Sequence, residues 1–289
     1  PCSTAKAAGC VYRWCCLTDD SAFTALTGIP PMNTRLVIGF LLLLVVYQTS
    51  EGLQTVFAPT SPLGPALMVL TLVLAWPVGR WIDGGGFRTY GLVATRWLPL
   101  LVSTLLLASI AKLAAEAIAL GLGVEQFVPA APLSLTVIGI GLVTTFIPSI
   151  AEDILTRGFL LRFTSRPLGF GSYVIASAAL YTANHIWRLD WGVSEQIRLF
   201  CLGLAYAAAA WRMQSLWAAV GLHWGWNLSN SLLSQAWQTT MADPVEGRWI
   251  SAAVHLILFA FIALYPAASG EKPNTDQDFS SDAPSNRRS

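Results

Sequence analysis

The stretch Ala151-Glu152-Asp153-Ile154-Leu155-Thr156-Arg157-Gly158-Phe159-Leu160 sets three ionisable side chains inside an otherwise apolar helix. The eighteen residues before it, Leu133 to Ile150, carry no charge, and a helix of that length reaches most of the way through a bilayer. A charged group near the middle of such a span costs about 2.5 to 3.5 kcal/mol, while each Leu, Ile, Val or Phe returns only about 0.3 to 0.6 kcal/mol. Glu152, Asp153 and Arg157 would therefore cancel most of the helix's insertion energy unless they find partners. Asp153 and Arg157 stand at i and i+4 on one face, where a salt bridge neutralises both. Glu152 lies about 100° round the helix from Asp153 and has no such partner in its own segment, which makes it the functional candidate.

The rest of the chain agrees with a membrane setting. Of its 289 residues 54% are hydrophobic and only 11% charged, against about 25% charged in soluble domains. The fold class this implies is an all-α polytopic membrane protein, a bundle of about eight transmembrane helices. A net charge of +1 without a basic cluster of interleaved aromatics gives no reason to expect nucleic acid. Many of the twelve tryptophans, among them Trp76, Trp81, Trp97, Trp187, Trp191, Trp211, Trp217, Trp237 and Trp249, fall near span ends, as in interfacial belts.

Residues 1–31 hold Cys2, Cys10, Cys15 and Cys16 without periodicity or zinc-ligand spacing, and read as a disordered or non-native N-terminal extension. Met32-Asn33-Thr34-Arg35 and the apolar run from Leu36 to Tyr47 look like the start of a bacterial inner-membrane protein. Gln48-Thr49-Ser50-Glu51 is a poor small-residue cleavage site, so the first helix should stay uncleaved. Residues 32–132 supply N-terminal spans near 34–50, 63–79 and 98–122, the last carrying Lys112 and Glu116 as a self-neutralising i, i+4 pair. Residues 133–235 form a core with spans at about 133–164, 171–187, 196–212 and 215–235. A last span near 250–266 closes residues 236–269, and the polar tail 270–289 reads as disordered.

One side of this arrangement receives Arg35, Arg80, Arg88, Arg96, Arg162, Arg166, Arg212, Lys272, Arg287 and Arg288. The other receives Arg188 and Arg248, with Arg198 at its margin. The imbalance places both termini in the cytosol.

Three histidines exist in the chain. His185 ends Tyr181-Thr182-Ala183-Asn184-His185, His223 opens His223-Trp224-Gly225-Trp226-Asn227, and His255 stands alone in the last span, where helix-to-helix hydrogen bonding accounts for it. His223 and Asn227 share a helical face. At about 1.5 Å per residue, Glu152 lies about 18 Å in from Thr164 and His185 about 21 Å in from Gly171. His223 and Asn227 lie about 12 and 18 Å in from Ser215, so all four share one layer. A carboxylate and an imidazole can activate water there, and a second imidazole with a carboxamide can donate to an oxyanion. The same His185, His223 and Glu152 could instead hold Zn2+ that generates hydroxide, and the residues are equally consistent with metal-bound and metal-free water.

These residues resemble a known family. Glu152-Asp153 with Arg157-Gly158-Phe159-Leu160, then Tyr181 and His185, then His223 and Asn227 are similar, in order, to the motifs of the CPBP intramembrane proteases, which include CAAX-prenyl endoproteases and bacteriocin-processing or immunity (Abi) proteins. Gly203 and Ser215-Leu216-Trp217 add to the likeness. The resemblance implies an eight-helix bundle with a cavity open toward the cytosol. Glu152 and His185 would activate water, and His223 with Asn227 would stabilise the oxyanion. It also implies a metalloprotease label, and a membrane-associated protein or peptide, lipid-modified in some relatives, as substrate. Two positions depart from the pattern: Asp153 replaces a glutamate and Tyr181 a phenylalanine. The alternatives are a non-catalytic immunity or scaffold protein, in which the polar residues join helices, and a proton-coupled transporter using Glu152 with Lys112 and Glu116.

Overall fold

A computed structural model describes residues 34–130, 132–161, 168–241 and 244–265. The N-terminal extension and the C-terminal tail read above lie outside these residues. Eight α-helices occupy most of the described chain: α1 (Thr34–Gly52), α2 (Leu63–Asp83), α3 (Trp97–Gly121), α4 (Leu135–Asp153), α5 (Phe170–Asn184), α6 (Val193–Arg212), α7 (Leu216–Ala236) and α8 (Pro244–Leu264). The protein is an all-α polytopic membrane bundle, with one addition that the sequence reading lacked. Strands β1 (Glu125–Pro129) and β2 (Trp237–Met241) pair antiparallel, Glu125 opposite Met241.

Five helical segments among the described residues are long and apolar enough to cross a bilayer: Thr34–Phe57, Leu63–Asp83, Trp97–Gly121, Leu135–Gly158 and Pro244–Leu264. The other three, α5, α6 and α7, carry polar groups and sit where the first five can surround them. Ala205 to Ala209 of α6 and Leu216 to Leu222 of α7 are almost entirely buried, apart from Trp217. Their partner is protein rather than lipid, so they have no need of uniform hydropathy.

Successive helices alternate in direction, and contacts fix which ends lie together. At one end Arg35 of α1 donates to the Trp81 carbonyl of α2, Leu216 N–H to the Gly91 carbonyl, and Arg212 of α6 to the Ala263 carbonyl of α8. At the other, Trp187 donates to the Gln48 carbonyl, Arg248 to the Trp191 carbonyl, and β1 pairs with β2. We call these the arginine-rich end and the sheet end. Thr34 and Leu264 both lie at the arginine-rich end.

Two local devices shape the helix that carries Glu152. Ser134 caps α4 by accepting from Val137 N–H, satisfying one of the free donors of its first turn. At the other end α4 runs into a π-helical turn, Ile154–Gly158, where Phe159 N–H reaches back five residues to Ile154 O. Gly158 lets this turn approach the Tyr90 backbone, since a Cβ there would lie 2.7 Å from Tyr90 Cβ.

Candidate active site

Glu152, at 4% exposure, sits between two equally buried imidazoles. Its Oε1 is 3.4 Å from His185 Nε2 and its Oε2 is 3.6 Å from His223 Nε2. Three side chains from α4, the end of α5 and α7 therefore meet, as the shared-layer count expects. Asn227 lies one turn along α7 from His223 and donates to Ser149 Oγ at 3.1 Å.

The orientation of each ring follows from its other nitrogen. His185 Nδ1 lies 2.8 Å from the Tyr181 carbonyl, an acceptor only, so Nδ1 carries a proton. His223 Nδ1 faces Asp153 Oδ1 at 3.3 Å, and a carboxylate likewise accepts. Both rings thus turn Nε2 toward Glu152, and this tautomer leaves Nε2 as a lone-pair acceptor when the ring is neutral.

Asp153 has two partners. It pairs with Arg157, as the i, i+4 spacing indicates, and both side chains are fully buried. The same Oδ1 also orients His223, a role that the local pairing does not reveal. Arg157 lies over two aromatic rings, with its guanidinium carbon 4.7 Å from the Tyr181 centroid and 5.2 Å from that of Tyr206. Tyr206 also stacks on His223 at 5.1 Å, with planes 23° apart. Its hydroxyl lies 3.3 Å from His255 Nε2, and His255 Nδ1 lies 2.8 Å from the Ser251 carbonyl. His255 is thus held on both ring nitrogens, by its own helix at Nδ1 and by α6 at Nε2.

Sequence reasoning missed two contributors. Asn184 donates to Glu152 Oε1 at 3.0 Å, and Gln48 of α1 donates in turn to the Asn184 carboxamide oxygen at 2.8 Å. Gln48 is an amide near the end of an apolar helix, and Asn184 precedes His185; that polarity was the available signal.

Gly203 and Ser215 have clear structural work. A Cβ on Gly203 would lie 2.7 Å from Ala178 Cα, so the glycine sets the close approach of α5 and α6. Ser215 caps α7 by accepting from Trp217 N–H. Lys112 and Glu116 pair with each other and line a separate cavity.

A cavity of about 650 Å³ lies toward the sheet end, lined by Asn227, Pro148, Arg188, Lys112, Glu125 and Asn230 among others. A second cavity, of about 430 Å³, lies toward the arginine-rich end and is lined by Phe87, Leu92, Trp97, Phe146, Ile150 and Trp217 among others.

The donors of Glu152, His185 and His223 are of the kinds zinc takes. Among the described residues no group of three His, Cys, Asp or Glu side chains is placed to hold a metal ion as it stands; Glu152, His185 and His223 are the side chains that would hold zinc.

Residues 134–229 match the family model of type II CAAX prenyl endopeptidases, Rce1-like. The match runs from the cap of α4 to just beyond Asn227 and includes all three motifs. Over this third of the chain the protein is similar to the CAAX-protease family that those motifs resemble. No curated protein matches the chain.

Proposed function

We propose that this integral membrane protein is an endopeptidase that hydrolyses a peptide bond of a membrane-associated protein with water activated by Glu152. One observation carries the reading: both oxygens of a single buried carboxylate are faced by imidazole Nε2 atoms from two other elements. Helix-joining polar residues need only one partner each, whereas this set surrounds a point where a water can be held and deprotonated.

In this mechanism water sits beside Glu152 and His185 Nε2, which are 3.4 Å apart, and donates a hydrogen bond to each. Its oxygen attacks the scissile carbonyl carbon while its proton passes to Glu152. The oxyanion receives hydrogen bonds from the Asn227 carboxamide and from His223 Nε2, which carries a proton when the ring is cationic. Glu152 then gives its proton to the amide nitrogen as the C–N bond breaks, leaving a carboxylic acid and an amine, and the second water proton passes from the acid to the amine to give carboxylate and ammonium. Asn184 holds Glu152 in register throughout.

The test compares the termini of membrane proteins in cells carrying wild-type protein or Glu152→Gln. The proposal expects at least one new terminus that disappears in the variant. If Glu152→Gln and His223→Ala preserve every terminus and the full cellular effect, the immunity or scaffold reading takes its place.

A further inference from the structure

The last helix, α8, lies beyond the matched residues 134–229, yet its histidine packs against residues of both α6 and α7 beside the oxyanion donors. His255 is fully buried. An ionisable side chain in a span is costly, and a leucine would fill the same space without that cost. What the imidazole adds is an acceptor at a fixed place. Its Nδ1 lies 2.8 Å from the Ser251 carbonyl, one turn back on α8, and a carbonyl only accepts, so Nδ1 bears the proton and the neutral ring keeps its lone pair at Nε2. The Tyr206 hydroxyl, 3.3 Å from that nitrogen, is therefore the donor. Tyr206 is also fully buried, where a hydroxyl needs such a partner.

The bond to His255 fixes the far end of the Tyr206 ring, and that ring faces His223. The two stack at 5.1 Å with planes 23° apart. Tyr181 meets His223 edge-on at 5.7 Å and Tyr206 edge-on at 6.2 Å, both favoured arrangements for aromatic rings. Asp153 holds the His223 ring at Nδ1, but a single contact leaves the ring free to tilt about it. The face of Tyr206 removes that freedom and aims Nε2.

A second contact acts on α7 itself. The His255 ring lies 4.2 Å from that of Trp226, and Lys112 Nζ lies 5.3 Å from the same indole. Trp226 stands three residues after His223 and directly before Asn227, so holding its ring resists rotation of the turn that carries both donors. At the radius of about 5 to 6 Å that a helix has with its side chains, turning α7 by about 10° moves those side chains by about 1 Å. A misplacement of about 1 Å can cost about 10²-fold in rate.

Building on the peptidase reading, we propose that His255 is a positioning residue for the hydrolysis: from outside the matched residues it sets the plane of His223 through the Tyr206 hydroxyl, and the rotation of α7, with Asn227, through Trp226.

Nitrogen NMR of the full-length protein in lipid nanodiscs, with its histidines labelled by ¹⁵N, tests this without a substrate. The chain has three histidines, and each signal is assigned by its loss on substitution. Wild-type His255 should be protonated at Nδ1 and hydrogen-bonded at Nε2. Tyr206→Phe keeps the ring and removes the donor, whereas His255→Phe keeps a ring and removes the acceptor. Each should move the His223 nitrogen signals, and Tyr206→Phe should also move His255 Nε2 to its unbonded position. Thermal unfolding shows which variants fold, and Tyr206→Phe alone decides the matter if His255→Phe does not. Unmoved His223 signals in a folded variant overturn the proposal, as does a wild-type His255 protonated at Nε2. In a cleavage assay, kcat of His255→Phe should fall about tenfold or more with KM unchanged, since His255 touches no substrate. Adding Tyr206→Phe should lower it no further, because both variants remove one interaction; a change in KM alone, or losses that multiply, contradict the assignment. If the His223 signals move as expected but no Glu152-dependent cleavage exists, the peptidase reading fails while the coupling of His255 to His223 stands.

Discussion

Asn184 donates to Oε1 of Glu152 at 3.0 Å, the same oxygen that faces His185 at 3.4 Å. The carboxamide thereby fixes the rotation of the carboxylate, and Gln48 fixes the carboxamide. The first helix, outside the family match, is thus joined to the proposed base through two hydrogen bonds.

A hydrogen bond to a charged group contributes about 1.5 to 3 kcal/mol. Asn184→Ala should therefore lower kcat about 10- to 150-fold with little change in KM. Steady-state kinetics of the reconstituted protein measure it; an effect on KM alone would make Asn184 a substrate contact instead.

Asp153 and Arg157 form a fully buried pair. Removing one partner strands the other charge, a loss of about 3 to 5 kcal/mol in proteins generally. Asp153→Ala and Arg157→Ala should each lower the unfolding temperature in detergent markedly, and Asp153→Ala should also release His223. Thermal unfolding within a degree or two of wild type for either variant would contradict the buried pairing.

The close packing of α3 on α7 depends on two glycines. A Cβ on Gly221 would lie 2.0 Å from Thr104 Oγ1 and 2.5 Å from Leu101 O, and one on Gly225 would lie 2.4 Å from Leu105 O. Gly225→Ala must push α7 away from α3 and carry His223 and Asn227 with it. Both stability and cleavage should fall, and a variant with wild-type melting and activity would show that the helices are not so closely packed.

Glu125, on β1 at the cavity wall, is pushed up to about 7 by burial, reinforced by the neighbouring Glu116 and opposed by Lys112. The folded protein therefore holds a proton that the unfolded chain has released above its ordinary carboxylate range. The stability this adds is complete below about pH 4.5 and is lost as pH rises toward about 7. Melting temperatures across that window should decline with pH in wild type and less steeply in Glu125→Gln. Equal slopes would remove Glu125 from the account.

Metal removal gives a separate check on the water. Dialysis against a strong chelator should leave the cleavage rate within about twofold, because Glu152 itself serves as the base. Loss of activity restored by zinc would instead assign Glu152, His185 and His223 as ligands.

Much of the site was legible because its signals are local. Glu152, Asp153 and Arg157 share one helix, and His223 with Asn227 repeats the one-turn spacing, so sequence distance translates directly into geometry. Asn184 and Gln48 were hidden for the opposite reason: 136 residues separate them, and nothing in either segment signals the other. The second role of Asp153 was hidden likewise, since its bond to His223 crosses 70 residues while the pairing with Arg157 already accounts for its charge.

The eight helices could be read from apolar runs, although α5, α6 and α7 owe their place to burial by neighbours more than to their own hydropathy. The β1–β2 pair could not be read, because each strand is only five residues long and its partner is remote.

The most direct test is single-turnover cleavage of the identified substrate by purified protein in lipid nanodiscs, wild type against Glu152→Gln, with matched thermal unfolding as a check on folding. The account predicts that the variant keeps its fold and cuts about 10²- to 10⁴-fold more slowly, the usual worth of a positioned base. A folded Glu152→Gln protein that cuts at the wild-type rate would contradict it.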